Sequence, residues 1–503
     1  MSREGEGEPR FVVQHHRATA DHYDLRFEVD GTLVSWAVPK GPTLDPTKRR
    51  TAFKVGDHPM EYLLFEGVIP KRTYGAGDVV VWDTGTWRPR EGDDPKATIP
   101  AGELHADVFG EKLRGRFALV RRGSQGEREQ WLLVHKRDEH AVEGWEPGDH
   151  PRSVLTGRTN DEVLADADRL WRSDLPADQA EVVLKPSAAA VQEALAALED
   201  LGRQGTWQLF GRTLKVTNLD KVLFPGRDGE PPVTKRELLG YAAAIAPTVL
   251  PYLTGRALNM RRHPNGADTK GFWHKQRPEH APPWIGSWDN PEADPGETTT
   301  YAVLDEPAAV VWAAQFGALE WHPWTSRTDR PHAPTYALVD IDPGTDTSWD
   351  DVLVLARLHR DAFAHLDVAA FPKVTGSRGI QVWVPIARGP GFDDTRAWVE
   401  RLSRTVGAVV PEMVSWKWEV KSRQGKARLD YTQNAINKTL VAPYSPRAAA
   451  GAPVSAPIAW EELDDPALRP NGFTIRTMLD RIAEHGDLFA PMLELQQDLP
   501  PLT

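Results

Sequence analysis

Short segments of alternating apolar and polar residues run from residue 11 to residue 136. Turn signals such as Asp30-Gly31 separate them, and this combination predicts β-strands joined by tight turns. The clearest predicted strands are Tyr23–Val29, Leu33–Val38, Asp78–Trp82, Arg116–Val120 and Gln130–Val134. Many short strands of this kind are typical of a mainly β domain that forms a small barrel or sandwich.

Helical spacing of apolar residues begins after this region. Two sets of apolar residues each fit one helix face. They are Val163, Leu164, Ala167, Leu170 and Trp171 in the first set, and Val191, Leu195, Leu198 and Leu201 in the second. The sequence between them, from Ser173 to Ser187, is rich in Pro, Asp and Ala. We therefore predict an N-terminal domain at 1–157, a partly helical linker at 158–205 and a second domain at 206–503.

The second domain mixes the two periodicities. Helices are predicted at Asp351–Leu366 and Asp393–Val406, and strands at Tyr336–Asp342 and Gln381–Pro385. This mixture indicates an α/β or α+β domain. The chain has 503 residues, of which 40% are hydrophobic and 26% charged, so that it is long enough for at least two globular domains.

The composition excludes several kinds of chemistry. The chain has no cysteine, so that any bound metal must rely on His, Asp or Glu. Met1–Arg10 is charged and Gly-rich, and the most apolar stretch, Leu238–Leu253, is interrupted by Pro247 and Pro251. We therefore expect neither a signal peptide nor a membrane span, and we expect a cytoplasmic protein.

The charge is unevenly distributed along the chain. The net charge of −12 argues mildly against a nucleic-acid-binding protein. From Arg212 to Arg277, however, twelve Lys and Arg residues stand against five Asp and Glu residues, and from Glu412 to Arg447 seven stand against three. Such basic segments favour a local phosphate-binding groove, although two solvated surface faces would have the same composition.

One predicted strand carries a polar face with the chemistry of a metal site. His22, Asp24 and Arg26 alternate with apolar residues and project together, and Gln14 and His16 share one face of the preceding segment. Two histidines and a carboxylate suit manganese or zinc, and an arginine suits a phosphate oxygen. The alternative is a solvated polar face with incidental histidines.

A second predicted strand carries paired carboxylates. Asp340 and Asp342 share one of its faces, about 7 Å apart along the strand, and can therefore meet two divalent cations. Asp430, between Leu429 and Tyr431, supplies a third acid. Carboxylate oxygens suit magnesium or manganese, and two such cations are what in-line nucleotidyl transfer requires. The alternative is an ordinary polar turn.

The first part of the chain, residues 10–157, resembles a known enzyme module. The motifs FVVQHHRATADHYDLRFEVDG, SWAVPKGP, DHPMEY and FEGVIPKRTYGAGDVVVWDTGTW closely resemble the phosphoesterase module of bacterial DNA ligase D, from non-homologous end joining. The resemblance implies metal-dependent removal of a 3′-terminal ribonucleoside and then of the 3′ phosphate. It implies a metal on His16, His22 and Asp24, catalytic roles for Arg26 and His58, with His58 as candidate general acid, and phosphate contacts by Gln14, Lys40, Arg50 and Tyr62.

The remainder of the chain, from about Trp207, resembles the polymerase module of the same family. The shared motifs are NLDKVLFP, ALNMRRHPNG, GFWHK, GALEWHPW, DIDPG, VTGSRGIQVWVP and RLDYTQNAINKTLVAPYSPRA. That module is identified as a member of the archaeo-eukaryotic primase superfamily. The resemblance implies an α/β catalytic core like an RNA-recognition motif, which adds nucleotides, preferentially ribonucleotides, to broken DNA ends and short gaps.

The same resemblance assigns roles to residues of the second module. The metal ligands, for manganese or magnesium, would be Asp340, Asp342 and Asp430. A nucleoside triphosphate would be held by His322, Ser377, Arg378, Arg423, Gln433 and Arg447. The 5′ phosphate and a base of the DNA would meet Asn218, Lys221, Lys235, Arg261, Phe272 and Trp273.

The chain departs from the family at several positions. Gly56 stands where relatives often have Glu, Gln381 where they often have His, and Arg378 where Lys is frequent. Relatives also carry acidic and basic residues ahead of the position of Phe11. The Lys-x-Asp-Gly motif of adenylating ligases does not occur in the sequence. The resemblance therefore implies a separate ATP-dependent DNA ligase and a Ku-type end-binding protein as partners.

Two other functions stay open on the sequence. One is a primase that makes short primers de novo, and the other is an end-bound scaffold with an inactive phosphoesterase module. The residues around Lys221 that are predicted to bind a 5′ phosphate favour a function at DNA gaps and ends. The three aspartates favour catalysis in the second module.

Overall fold

The structure is a computed structural model that describes residues 8–70, 73, 75–126, 128–294, 297–438 and 440–502. Most of the predicted N-terminal Met1–Arg10 segment therefore lies outside the described residues, as do Lys71, Arg72 and Tyr74 of the first module. The chain divides into two compact units, Met1–Lys185 and Pro186–Thr503.

Unit 1 is built around one mainly antiparallel sheet. Its strands are β1 (Arg10–Arg17), β2 (Asp21–Val29), β3 (Thr32–Val38), β4 (Arg50–Lys54), β5 (His58–Pro59), β6 (Gly67–Ile69), β7 (Gly77–Pro89), β8 (Glu103–Gly110), β9 (Arg114–Gln125), β10 (Arg128–His135), β11 (Arg169–Trp171) and β12 (Glu181–Val183). Its helices are α1 (Pro95–Ala101), α2 (Asn160–Ala165) and α3 (Ala177–Ala180), with 3₁₀ turns at Met60–Tyr62 and Pro147–Asp149.

The sheet of unit 1 closes into a barrel. Its strand order is β1-β2-β3-β4-β10-β9-β8-β7, and β1 also pairs with β7. Leu25 and Phe27 of β2 point into an aromatic core with Trp36, Trp87 and Trp131, all buried. The predicted alternation of β2 is therefore confirmed, and so is the small β-barrel that it implied.

The segment predicted as a linker is shared between the two units. α2 ends at Ala165, and the next residues form β11, which pairs with β6 and β12. Trp171, predicted on a helix face, thus lies in a strand, where its buried ring packs on Tyr62 (4.7 Å between ring centroids) and Phe65 (5.3 Å). The helical prediction was wrong there, because the spacing of a few apolar residues carries no information about strand pairing with distant segments.

Unit 2 contains the remaining elements. Its helices are α4 (Ala188–Asp200), α5 (Lys235–Leu253), α6 (Pro307–Gln315), α7 (Trp349–Leu366), α8 (Phe392–Val409), α9 (Met478–His485) and α10 (Pro491–Glu494). Its 3₁₀ turns are Val420–Ser422, Tyr431–Gln433 and Trp460–Asp464. Its strands are β13 (Gly205–Leu209), β14 (Arg212–Val216), β15 (Val222–Phe224), β16 (Val233–Thr234), β17 (Leu258–Arg262), β18 (Phe272–His274), β19 (Gly286–Asp294), β20 (Glu297–Val303), β21 (Ala318–Pro323), β22 (Ser326–Arg327), β23 (Arg330–Pro334), β24 (Tyr336–Asp342), β25 (Phe371–Val374), β26 (Ile380–Pro385), β27 (Arg428–Leu429) and β28 (Ala456–Pro457).

Two sheets organise unit 2. One has the order β27-β24-β26-β25-β28, and α8 packs on β24. The other has the order β18-β17-β20-β19, with β21 paired to β17. The predicted helices α7 and α8 and the predicted strands β24 and β26 are all present, which confirms an α/β second domain. The predicted helix α4 is also present, within the segment interpreted as a linker.

The longest apolar segment is a core helix. α5 carries Pro247 and Pro251 and buries much of its length, including Leu238 and Ile245. Among the described residues, no helix combines the length and the apolar character that crossing a membrane would take.

Candidate functional sites

The polar face of β1 and β2 forms a compact metal-ligand set. Because Gln14 faces Asp24 and His16 faces His22 across the two strands, their side chains share one face of the sheet. One ligand atom each from His16, His22 and Asp24 lies within 4.8 Å of the others. Asp24 is 5% exposed, so that this face is buried and the solvated alternative is wrong.

Each histidine binds a backbone carbonyl through one ring nitrogen and turns its other ring nitrogen toward Asp24. His16 Nε2 donates to the Gly75 carbonyl (2.9 Å) and His22 Nδ1 donates to the Ala20 carbonyl (2.9 Å). The other nitrogens, His16 Nδ1 and His22 Nε2, lie 3.5 and 3.6 Å from the Asp24 carboxylate. Backbone carbonyls fix the tautomer of metal-binding histidines in this way, and the donor set therefore fits a divalent cation.

Arg26 is held rigidly beside the ligand set. It donates to Asp24 (2.9 Å), to the Ser35 hydroxyl (2.9 Å) and to the Gln14 amide oxygen (2.8 Å), and it is 2% exposed. Gln14 is fully buried and also donates to the carbonyls of Tyr62 and Phe65. Gln14 therefore orients Arg26, rather than reaching a phosphate as predicted.

His58 and Tyr62 complete this site. His58 Nδ1 lies 2.8 Å from an Arg26 nitrogen, and the His58 and Tyr62 rings are 5.2 Å apart. Burial and the Arg26 charge lower the pKa of His58 to about 4. The imidazole is therefore neutral at pH 7 in the free protein, and only a bound anion could raise its pKa enough for the predicted general-acid role.

A cavity of about 620 Å³ opens beside these residues. It is lined by the ligand set, Arg26, His58 and Tyr62, and also by Lys54, Arg128, Trp171 and Ser173, which the sequence did not single out. Lys54 was missed because it belongs to none of the family motifs. Trp171 and Ser173 were missed because they lie in the segment interpreted as a linker. Gly56 also lines the cavity, with free space around the position of a Cβ atom.

The described lining of this cavity does not include Lys40 or Arg50, contrary to the prediction. Arg50 donates to Glu146, which also binds Lys48. Lys40 is exposed in the turn after β3. Arg50 stands at the start of β4 and Lys40 in a turn, and a motif alone does not reveal which way a residue at a strand end or in a turn points.

In unit 2 the three aspartates lie near one another at the end of β24. Asp430 donates its backbone N–H to the Asp340 carbonyl (2.8 Å), which brings β27 and the following turn alongside Asp340. Burial and the charges of Asp342 and Asp430 raise the pKa of Asp340 to about 7. Crowded carboxylates with a raised pKa are what a divalent cation would stabilise, so that this oxygen donor set fits magnesium or manganese.

Each carboxylate has a fixed partner within the protein. Arg423 donates to Asp342 (2.8 Å), and Arg428 pairs with Asp430 (3.1 Å). Asp430 also accepts from Thr432 and from Gln433 (3.1 Å). Arg423 therefore orients the Asp342 carboxylate, and the described lining of the cavity beside Asp340 and Asp342 includes Gln433 but not Arg423.

The cavity beside Asp340 and Asp342, named the nucleotide pocket after the predicted ligand, measures about 230 Å³. The residues that line it include most of those predicted to bind nucleotide or metal. These are His322, Asp340, Asp342, Ser377, Arg378, Gln433 and Arg447. Gly376 has φ +69°, and a Cβ there would collide with Val454, so that glycine is required beside Ser377.

Two residues that the sequence did not assign organise this pocket. Glu320, 5% exposed, binds His322 (2.9 Å) and lies 3.3 Å from Arg447 Nε. Although burial opposes it, these partners hold the pKa of Glu320 well below its usual range. Gln381 donates to Asp340 (3.2 Å) and so orients a metal carboxylate. The spacing of Glu320 and His322, two residues apart on β21, could have indicated that Glu320 belongs to the same pocket as His322.

Part of the predicted 5′-phosphate set comes together. Lys221 and Lys235 flank the paired strands β15 and β16, and the Lys221 N–H donates to the Asn218 carbonyl (3.0 Å). Lys221 Nζ reaches the Pro264 carbonyl (2.6 Å). Burial and the Lys221 charge lower the pKa of Lys235 to about 8, since Lys235 is 8% exposed. Two adjacent ammonium groups favour an anionic ligand.

The other predicted DNA contacts lie on β17 and β18. Phe272 and Trp273 are 45% and 40% exposed, as base-stacking rings must be. The Arg261 guanidinium lies 5.1 Å above the Trp273 ring, and Trp273 contacts the His322 ring edge to face at 4.8 Å. The Trp273 ring thus borders the nucleotide pocket.

Comparison with known families agrees with this division. The family model described as LigD, primase-polymerase domain, matches residues 234–489. The model described as DNA Ligase D 3′-phosphoesterase domain matches residues 14–121. The two matches fall in unit 2 and unit 1 respectively.

Curated relatives and a solved structure agree as well. The multifunctional non-homologous end joining DNA repair protein LigD of Mycobacterium tuberculosis is 33% identical over 281 residues, 54% of this chain and 36% of that protein. The Pseudomonas aeruginosa LigD protein is 49% identical over 153 residues, 30% of this chain and 18% of that protein. The bifunctional Bacillus subtilis LigD protein is 29% identical over 292 residues, 57% of this chain and 45% of that protein.

The similarity to the solved structure covers one unit of the chain. The polymerase domain of Mycobacterium tuberculosis Ligase D, in complex with DNA, matches with a TM-score of 0.51 and 32% identity, over 57% of this chain and 99% of that one. The matches span less than half of the length of the curated relatives. The chain belongs to the LigD family and contains a 3′-phosphoesterase domain followed by a primase-polymerase domain.

Proposed function

We propose that this protein processes broken DNA ends, by adding nucleotides in unit 2 and by trimming 3′ ends in unit 1. The observation that carries the proposal is that Asp340 and Asp342 line a pocket together with His322 and Arg447, while Asp430 lies beside Asp340 and helps to raise its pKa. Carboxylates that could hold a metal, next to cationic and hydrogen-bonding groups, suit the charge of a nucleoside triphosphate.

The residues of unit 2 have separable tasks in this reaction. Arg447, Arg378 and His322 would bind the phosphates, and the Ser377 loop would approach them with its backbone. Gln381, Arg423 and Gln433 keep the three carboxylates oriented. Manganese or magnesium held by these carboxylates would supply charge stabilisation at the phosphorus.

The experiment for unit 2 is primer extension on gapped DNA. We expect Asp340→Ala with Asp342→Ala to abolish nucleotide addition and to leave 3′-end trimming unchanged, because the two activities use ligands from different units. Thr345→Ala, at the exposed turn after β24, is a control that keeps both acids. Extension that survives in the double variant would overturn the assignment.

For unit 1 we propose hydrolysis at a 3′-terminal phosphate, including removal of a 3′ ribonucleoside. Arg26 is fixed to stabilise charge on the phosphoryl oxygens, and His58 would donate to the leaving oxygen once the phosphate raises its pKa. A divalent cation on His16, His22 and Asp24 would supply Lewis-acid stabilisation there.

The same proposal includes a preference for ribonucleotides and the use of manganese. It also includes two partners, a Ku-type end-binding protein and a separate ATP-dependent DNA ligase. They rest on the family relationship. The relatives are named as non-homologous end joining proteins, and the solved neighbour was determined with DNA.

De novo priming is the second candidate for unit 2, and it would need two nucleotides without a primer end. The paired Lys221 and Lys235 favour gap work, because they form a site for a terminal phosphate that a primase does not require. Comparison of primer extension with synthesis on an unprimed template separates the two functions.

A further inference from the structure

A cavity lined by three arginines lies away from the catalytic carboxylates of unit 2. Arg256 follows α5, Arg327 belongs to β22 and Arg388 follows β26. The cavity measures about 180 Å³, and among the described residues it shares no lining residue with the nucleotide pocket. Tyr336, at its wall, begins β24 and is four residues from Asp340, which is about 13 Å along a strand.

The positive charge of this cavity is only partly neutralised. Arg388 donates to Asp329 (2.7 Å), which is the one ion pair that the described residues give to these arginines. The half-buried Arg327 guanidinium has neither a hydrogen bond nor an ion pair with any described residue. The described lining of the cavity contains no carboxylate. A cation that is partly removed from water without a partner is costly, unless an anion joins it.

Further donors in the wall also lack acceptors. Arg256 is 6% exposed, and although its terminal nitrogens are bonded, its Nε has no partner within the described part of the chain. The same holds for the Tyr336 hydroxyl and the Trp383 Nε1, whose rings stack 4.1 Å apart. The wall is therefore rich in donors and poor in acceptors, which is the reverse of a cation site.

The three arginines also repel one another. Burial, together with the charges of Arg327 and Arg388, lowers the pKa of Arg256 to about 10. Burial and the Arg388 charge lower the pKa of Arg327 as well. An anion bound between the guanidinium groups would relieve this repulsion.

We propose that this cavity binds a phosphoryl oxyanion. Guanidinium groups match the oxygens of phosphate bidentately, and three of them with further N–H and O–H donors form an acceptor-seeking site. Met492 and Leu495, from the chain after α9, enclose the cavity, so that it admits a phosphate or pyrophosphate group rather than a bulky ligand. The group could arrive free in solution or as part of a nucleic-acid strand.

The test compares the protein with its Arg327→Gln and Arg388→Gln double variant. Pyrophosphate and an unphosphorylated single-stranded oligonucleotide are titrated separately by calorimetry, with a chelator present. Arg330→Gln is the matched control, because Arg330 is an exposed residue of the same hairpin as Arg327 and lies outside the cavity lining. Crystals soaked in tungstate, a phosphate analogue, locate the site directly.

We expect the double variant to lose one pyrophosphate-binding event, or to bind it at least tenfold more weakly, with anomalous tungstate density between Arg327 and Arg388. Loss confined to the oligonucleotide would instead identify a strand phosphate as the ligand. Unchanged binding of both ligands, with no tungstate in the cavity, would overturn the proposal. Melting temperatures measured without ligand check that the variants fold. Arg327→Gln should not lower the melting temperature, because the Arg327 guanidinium has no hydrogen bond or ion pair with any described residue.

Discussion

Single side chains in this protein are placed by partners that a motif does not show. His16 and His22 are adjacent to other polar residues in sequence, yet only their backbone-carbonyl contacts fix which ring nitrogen faces Asp24. Likewise Arg26 is immobilised by Gln14, a residue first assigned to the phosphate. Residue identity supplies the chemistry, and the neighbours decide the protonation state and the direction of each group.

His22→Ala should reduce bound manganese and 3′-phosphatase activity together, each by at least about tenfold, because the variant removes one of three ligands. His15→Ala is the matched control. His15 lies on the opposite face of β1, where its ring stacks on Tyr23 at 4.3 Å. Metal content from atomic absorption and phosphate release from a 3′-phosphorylated oligonucleotide are the measurements. Activity lost without metal loss would argue against His22 as a ligand.

If Lys235 binds the 5′ phosphate as proposed, the binding of phosphorylated gaps should depend on pH in a specific way. Its lowered pKa of about 8 means that the ammonium is charged at pH 7 and largely neutral at pH 9 in the free protein. The phosphate monoester stays dianionic over this range, since its second pKa is about 6. Affinity should therefore fall as pH rises from 7 to 9, by about tenfold for one lost charge-assisted bond.

Fluorescence anisotropy with phosphorylated and hydroxyl-ended gaps measures this effect. The hydroxyl-ended gap serves as the control and should show no such step. Lys221→Ala removes the neighbouring charge, which raises the pKa of Lys235 and moves the step to higher pH. Parallel pH profiles for the two gaps would contradict the role of Lys235.

At the level of elements, strands β11 and β12 belong to unit 1 rather than to a linker. They extend the sheet beyond β6, and they bring Trp171 onto Tyr62 and Phe65 beside the phosphoesterase cavity. Helix α4 shows the opposite outcome, because the apolar residues Val191, Leu195 and Leu198 lie within it as predicted, and Leu201 follows its last residue. A long regular helix is set locally, whereas a three-residue strand depends on its partners.

A fragment of residues 1–185 should therefore be more stable than one of residues 1–157. The shorter fragment leaves Tyr62 and Phe65 without the Trp171 ring, and loss of a buried tryptophan costs about 3–5 kcal/mol. Thermal unfolding followed by circular dichroism should show a melting temperature roughly 10 °C lower for the shorter fragment. Trp171→Ala in the longer fragment separates the side chain from the truncation. Equal melting temperatures would show that β11 and β12 add nothing to unit 1.

At the level of the whole molecule, charge is organised in local patches against a net charge of −12. The basic segment Arg212–Arg277 supplies Lys221, Lys235 and Arg261. In the second segment, Glu412–Arg447, the guanidinium groups of Arg423 and Arg428 pair with the carboxylates of Asp342 and Asp430. Only part of the formal positive charge is therefore available to DNA, and the first segment should dominate end binding.

Lys221→Ala with Lys235→Ala should erase the preference for phosphorylated over hydroxyl-ended gaps, while extension of a primer without a downstream strand changes little. The salt dependence of binding should weaken by about one unit of slope for each lost phosphate contact. Anisotropy at several salt concentrations measures it. Lys215→Ala, an exposed lysine of β14, is the control for loss of charge alone. An unchanged preference in the double variant would mean that these lysines are solvated surface charge.

The sequence by itself determined the two modules, the alternation of β2 and β24, and the residue types of both sites. These features are local, because a strand repeats every two residues and a carboxylate pair needs only that spacing. For the same reason the motifs identified the family, and His16, His22, Asp24, Asp340 and Asp342 lie where their spacing placed them.

Only the tertiary structure decided which of these residues meet, and what else they meet. The burial of the polar face around Asp24, the pairing of Arg423 with Asp342, and the separation of Arg50 from the phosphoesterase cavity all depend on contacts between distant segments. The arginine cavity around Arg327 is of the same kind, because its three cations come from separate loops and strands. Charge, burial and hydrogen bonding at such places are properties of packing, which no local periodicity encodes.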